Sequence, residues 1–254
     1  MSKALKPLMY SGFHAVEALL RHRPEAVLEL FVQDSRADRD DPRLEALISE
    51  ARGQGIAVQR ARREVLEKHA GPQHQGIVAR ARPRRPGDEN QLLEWLGRET
   101  APFLLILEGV TDPHNLGACL RSADAAGVDA VIVPRRHAAG LTPVACRSAA
   151  GAAESLAYYE VGNLGNLLDQ VRQRGVWVVG TALEDRSESL FTFSPPASLA
   201  VIMGAEGAGL KRLTRDKCDQ LLEIPMAGEV QSLNVSVATG VVLFHVCRER
   251  TRAS

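Results

Sequence analysis

The chain has 254 residues, 45% hydrophobic and 24% charged, with 31 basic and 31 acidic side chains and a formal net charge of zero. That length carries two modest domains or one large one, and the composition is that of a globular protein, which excludes disordered and collagen-like classes. No apolar run reaches the roughly 18 residues of a membrane span, and residues 1–10 carry Lys3 and Lys6 without an apolar core, so no membrane partner and no export are expected.

Cys119, Cys146, Cys218 and Cys247 lie 27, 72 and 29 residues apart, a spacing that suggests neither a zinc site nor a disulfide framework and fits a reducing, cytoplasmic setting. The zero net charge hides an uneven distribution. Between Ala51 and Arg85 stand nine basic residues against Glu64 and Glu67, +7 in 35 residues. Such a surface neutralises several phosphates of a nucleic acid, or is simply a solvated face plus a linker.

In chain order, Gly12 to Leu20 opens a helix with Val16, Leu19 and Leu20 at helical spacing. Leu28–Val32 reads as a strand, Pro42–Arg52 as a helix ended by Gly53, Ile56–Val58 as a strand, Glu64–His69 as a short helix and Gly76–Ala79 as a closing strand. Pro83 to Asp88, with two prolines, a glycine and charges, marks a boundary. The division is therefore a small N-terminal α/β domain over 1–82, a linker over 83–100 and a second domain over 101–254.

From Ala101 the pattern alternates: strand Phe103–Leu107, helix from Asn115, strand Ala130–Val133, helix Pro143–Ala150, strand Leu156–Tyr159. It continues with helix Leu164–Arg174, strands Val176–Gly180 and Leu199–Met203, helix Leu210–Asp216, strand Leu221–Ile224 and a long last helix. Alternation of this kind implies an α/β fold with a mostly parallel sheet covered on both faces, whose ligands sit at the carboxyl ends of strands.

Three polar segments follow strands and so fall on that edge. In Glu108 to Arg121, Asn115 stands where a helix cap is wanted, and Gly117 and Arg121 are four apart on one face, which leaves the guanidinium free to lie toward a phosphate at the helix start. The plain alternative is a capping Asn, a packing Gly and an Arg paired with Asp124. In Gly204 to Leu210, Gly204, Gly207 and Gly209 surround Glu206, a constrained loop able to offer backbone amides, with neither a P-loop nor a dinucleotide fingerprint. In Ile224 to Val246, Ser232 is placed to cap an apolar helix, and Asn234 and Ser236 at its start need partners from the core or a ligand. His14, His74, His114 and His245 have no nucleophile at a recognisable spacing; His114, beside Asn115, is the one nearest the expected site.

Together the three segments, and the matches at Gly12-Phe13-His14-Ala15-Val16 and His74-Gln75-Gly76-Ile77, resemble the SpoU (TrmH) branch of the SPOUT methyltransferases, which methylate RNA ribose 2′-hydroxyls. The resemblance covers nearly the whole chain and is strongest toward members acting on guanosine in 23S rRNA, at the peptidyl-transferase P-loop. It implies a C-terminal parallel-sheet SPOUT domain tied in a trefoil knot, behind a small N-terminal RNA-binding domain. S-adenosylmethionine is then the co-substrate, with Met203, Gly204, Ile224, Pro225, Met226 and Leu233 as cofactor contacts. Asn115, Arg121, Glu206, Ser232 and Asn234 match the residues the family uses for catalysis and substrate. Because that cofactor supplies the electrophile, no metal is expected. Members are homodimers acting on RNA, so a DNA partner is not expected. Two other readings remain open: a tRNA 2′-O-methyltransferase of the same family, and a non-catalytic RNA-binding assembly protein.

Overall fold

The computed structural model describes residues 6–37, 41–205, 207 and 209–253. The chain forms two compact units: Met1–Arg85 together with Leu141–Ser155, and Pro86–Gly140 together with Leu156–Ser254. The expected linker thus divides at Arg85/Pro86, and the second region is interrupted by a stretch that returns to the first unit. No single-sequence pattern marks that return, because the helical spacing of 143–150 is the same whichever core receives it.

The first unit begins with β1 (Leu8–Ser11), α1 (Phe13–His22) and β2 (Val27–Gln33). There follow α2 (Asp34–Ala37), α3 (Pro42–Gly53), β3 (Ala57–Ala61), α4 (Arg63–Ala70) and β4 (Ile77–Ala81). Its four strands lie in the order β1-β4-β2-β3, with only β2 and β3 parallel. The periodicity read along α1 is the buried stripe of the structure: Val16, Leu19 and Leu20 are fully covered. Asp41 caps α3 by accepting the Leu44 N–H at 3.2 Å, with Pro42 at the first helical position, the usual pairing of an acceptor and a residue lacking an N–H.

The second unit opens with α5 (Glu89–Leu96), β5 (Phe103–Leu107), α6 (Pro113–Ala125) and β6 (Ala130–Pro134). The chain then supplies α7 (Pro143–Ser148) and α8 (Ala152–Ser155) to the first unit and returns as β7 (Ala157–Val161). After it come α9 (Leu164–Gln173), β8 (Trp177–Thr181), β9 (Glu188–Ser189), β10 (Leu199–Met203), α10 (Arg212–Arg215), β11 (Gln220–Glu223) and α11 (Val235–Ala253). Seven strands, every neighbour parallel, lie in the order β7-β6-β5-β10-β8-β11-β9. All residues of β5 and β10 are buried, which is why both read as unbroken apolar runs instead of alternating ones.

The expected linker contains a helix that reaches the core. A capping box at Asp88 and Gln91 starts α5, whose Leu92 and Leu96 join the cluster under the sheet. In the first unit, the returning segment is held by Arg23, whose guanidinium meets the buried Glu154 carboxylate at 2.8 Å, and by Arg84 donating to the Ala153 carbonyl at 2.5 Å. Gly151 there has φ +102°, which strains any other residue, and a Cβ on it would sit tightly, 3.2 Å from the His14 carbonyl oxygen. Among the described residues, no helix is long and apolar enough to cross a membrane.

Candidate active site

Strand order changes direction around β5 and β10: β6 and β7 extend to one side, β8 and β11 to the other. In open parallel sheets the crevice for ligands lies outside the carboxyl ends at such a switch. Here the loops after β8, β10 and β11 enclose a cavity of about 280 Å³. Met203, Gly204, Ile224, Met226, Ser232 and Leu233 line it, as do Thr181, Leu183, Gln231 and Ala238, which sequence reasoning did not single out. Pro225 sits in the same loop without lining the cavity.

The β10 loop is closed tightly on itself. Ala205 N–H donates to the Gly209 carbonyl at 3.1 Å and Gly209 N–H to the Ala205 carbonyl at 2.9 Å, with Gly207 and Gly209 at φ +76° and +63°. Gly204 is held by space, not by its dihedral: a Cβ there would overlap the Gly209 carbonyl carbon and stand 2.6 Å from the Leu210 nitrogen. Glu206, expected in this loop, lies outside the described residues.

Buried Glu108, just beyond β5, steadies the far side of the loop. Its carboxylate accepts the Thr214 hydroxyl at 2.9 Å and the Lys211 N–H at 3.0 Å. Sequence reading passed over it, although an acid closing an entirely apolar strand is out of place unless something receives it. Thr214→Val is expected to cost about 1–2 kcal/mol in urea unfolding, since a buried carboxylate oxygen loses its donor while volume is unchanged.

Two capping expectations are corrected. Asn115 is not the cap of α6: Asp112 accepts the His114 N–H at 3.1 Å with Pro113 at the first position, which leaves Asn115 inside the first turn. Ser232 does not cap α11 either. Asn234 does, its Oδ1 accepting the Ser236 N–H at 2.9 Å and the Ser236 hydroxyl at 2.6 Å. With its oxygen so engaged, Asn234 turns its Nδ2 to Asn115 Oδ1 at 3.1 Å, joining positions 119 residues apart. By donor count the pair keeps both N–H groups of Asn115 and one of Asn234 for something else.

Helices α6 and α11 pack together beneath this pair, with Cys119 Sγ 3.4 Å from Thr239 Oγ1. Arg121 lies further along α6, exposed and outside the cavity lining; among the described residues it makes no ion pair, so the alternative of an Arg121–Asp124 bridge is not what the structure has. Burial pushes the Cys119 thiol up to about 11 and the Cys218 thiol up to about 12, so neither is a thiolate nucleophile near neutral pH.

The nine basic residues of 51–85 are partly occupied. Arg63 pairs with Glu67 at 2.7 Å, Arg80 pairs with Glu29, and Arg82 and Arg84 donate to backbone carbonyls. These four have partners within the first unit, and Arg63 and the other five are exposed at its surface.

The cavity fits S-adenosylmethionine on two observations. Gly204, where the Gly209–Leu210 main chain leaves no room for a Cβ, keeps bare main chain at the cavity wall. The backbone of 224–233 makes no hydrogen bond to another described residue, which leaves N–H and C=O groups beside an apolar wall for the adenine and amino-acid ends of such a molecule.

Residues 102–244 match the SpoU rRNA Methylase family, and residues 11–87 match the RNA 2′-O ribose methyltransferase substrate binding family. The chain is 50% identical, over 96% of its length and 99% of theirs, to the 23S rRNA (guanosine-2′-O-)-methyltransferases RlmB of Salmonella typhimurium and Escherichia coli K12. Its fold is similar to that of the SpoU methyltransferase AviRb from Streptomyces viridochromogenes in complex with the cofactor AdoMet, at a TM-score of 0.78 and 25% identity, covering 97% of this chain and 91% of that one. A cavity at the switch point of a parallel sheet, the paired asparagines beside it and matches along almost the whole sequence lead to one assignment: the chain belongs to the SpoU rRNA methylase family.

Proposed function

We propose that the protein transfers a methyl group from S-adenosylmethionine to the ribose 2′-hydroxyl of a guanosine in 23S rRNA, at the peptidyl-transferase P-loop. The observation that carries the chemistry is the Asn115–Asn234 hydrogen bond, which brings the two segments together next to Ser232 and Leu233 of the cavity. The choice of RNA is supported by the end-to-end match with the rRNA enzymes. A structure of an A. aeolicus TrmH/SpoU tRNA modifying enzyme matches only 65% of the chain, at a TM-score of 0.56.

When bound, S-adenosylmethionine supplies an activated methyl group as electrophile. The chain's work is placement. Met203, Gly204, Ile224, Met226 and Leu233 hold the cofactor, and Pro225 stiffens their loop. The amide donors that Asn115 and Asn234 keep, with Ser232, would hold ribose oxygens beside the bound cofactor, and holding reactants in a near-attack geometry lowers a barrier by several kcal/mol. Arg121, unpaired among the described residues, clamps the neighbouring phosphate and so orients the hydroxyl. Glu206 is assigned to the same polar set by the family pattern.

The active form is a cytoplasmic homodimer whose second unit is a trefoil knot. Val237 and Phe244, 53% and 51% exposed and seven positions apart on α11, give a partner copy an apolar face. The knot is supported by the path of the chain: α11 follows β11 but packs on α6, on the other side of β8 and β10 in sheet order. Phe244→Asp is expected to shift the protein to monomer in sedimentation; a variant that stays dimeric removes this face from the interface. The reaction is tested by incubating the protein with labelled S-adenosylmethionine and unmodified large-subunit rRNA and mapping the methylated ribose. Absence of label in the RNA would end the enzyme reading, and label elsewhere would end the P-loop assignment.

A further inference from the structure

His74, Gln75 and Gly76 surround a second cavity, of about 360 Å³, within the first unit. Gln33, Arg36 and Arg63 complete its polar lining, and among the described residues no carboxylate lines it. Two backbone hydrogen bonds settle what its neutral side chains present. The Gly76 N–H donates to His74 Nδ1 at 2.9 Å, and burial holds that imidazole below its usual range, so the ring is neutral and Nε2 carries the proton. The Phe13 N–H donates to Gln75 Oε1 at 3.0 Å, which fixes the amide orientation and leaves its NH₂ as donor.

The backbone is shaped to this end. Gln75 has φ +55° and Gly76 φ +80°, and a Cβ on Gly76 would overlap the Arg36 side chain, with its Nε 2.9 Å away. A non-glycine residue in the left-handed region is uncommon and persists where its surroundings fix it. Arg36 and Arg63 are partly engaged, by Asp41 at 3.7 Å and Glu67 at 2.7 Å, but neither acid lines the cavity. His74 and Gln75 are thus both fixed as donors, and both charged side chains of the lining are positive. A site of that kind selects an anion.

We propose that this cavity is an RNA-phosphate subsite: Arg36 and Arg63 supply the charge, His74 Nε2–H and the Gln75 amide supply directed donors, and together they grip one backbone phosphate of the substrate, other than the one beside the methylated ribose. This rests on the reading of the protein as an RNA methyltransferase. The residues lie inside 11–87, the region matching the substrate-binding family, but that match names no residue and no cavity.

Gln75→Glu keeps the oxygen that receives the Phe13 N–H and turns the donor into a negative acceptor, so the fold is spared while an anion is repelled. Arg36→Gln removes one charge and serves as the second variant. With a large-subunit rRNA fragment, Gln75→Glu is expected to raise the dissociation constant at least tenfold. Arg36→Gln should weaken binding and lower the slope of log affinity against log salt by about 1. The urea midpoint and far-UV circular dichroism of each variant are the control for folding. Wild-type affinity and salt slope in both variants would overturn the proposal. A failure of the methyltransferase reading looks different: wild-type protein then labels no rRNA. In that case inorganic phosphate still shifts the His74 Nε2–H signal in NMR in the wild type and not in Gln75→Glu, and a flat wild-type titration counts against the subsite.

Discussion

Gly204→Ala is expected to weaken S-adenosylmethionine binding a hundredfold or more, about 2.8 kcal/mol, as read by calorimetry. The added Cβ would meet the Gly209 carbonyl carbon and stand 2.6 Å from the Leu210 nitrogen and 2.7 Å from the Gly209 oxygen, all main chain. Main-chain atoms of a loop closed by the Ala205–Gly209 bonds cannot swing aside as a side-chain tip would, so the loop itself must shift. That shift moves the walls formed by Gly204, Gly207, Gly209 and Leu210. The urea midpoint of the variant should fall little, which separates loss of the cradle from loss of the fold. An alanine variant that binds the cofactor normally would show that the cavity is not the cofactor site.

Arg121→Ala should reduce methyl transfer to rRNA by a hundred- to a thousandfold while leaving cofactor affinity intact. The residue is exposed, lines no part of the cofactor cavity and has no ion-pair partner among the described residues, so its removal costs the fold little. Arg121→Lys distinguishes its two conceivable roles. A phosphate clamp tolerates an ammonium with a higher KM for RNA and an unchanged pH–rate profile, because a single charge still meets the phosphate without the bidentate fork. A general base would not: the profile would move with the new group. An Arg121→Ala enzyme of normal rate would remove the residue from the site altogether.

The elements were largely legible in the sequence, because the strands and helices of the second unit are announced by apolar runs and periodicities that depend on near neighbours alone. Leu199–Met203 was read to the residue, being buried on both faces with no polar position to blur its ends. Short pieces escaped. β1, α2, α8 and the two-residue β9 are too brief to carry a period, and they form because a neighbouring strand or helix is already in place. Met203, Gly204, Ile224, Met226 and Leu233, which the family pattern puts forward as cofactor contacts, all line one cavity. Thr181 and Leu183, at and just after the end of β8, carry no motif, and Ala238 is an apolar position of the third segment that its own neighbours do not distinguish.

By itself, then, the sequence determined the order of strands and helices, the edge of the sheet on which the polar segments fall, and the family. Tertiary structure decided which groups serve those segments. Asn115 and Ser232 both have capping chemistry, yet Asp112 and Asn234 take the caps, and the freed Asn115 turns to Asn234 across 119 residues of chain. It also decided that 141–155 leaves the methyltransferase unit for the first unit, where Arg23 meets Glu154, and that Glu108 is a brace beside the glycine loop. The reason is the same in each case. Periodicity reports what a residue's near neighbours require, whereas a buried donor or acceptor is satisfied by whatever group the fold brings within about 3 Å, and several chemically equal candidates compete for it until the chain has folded.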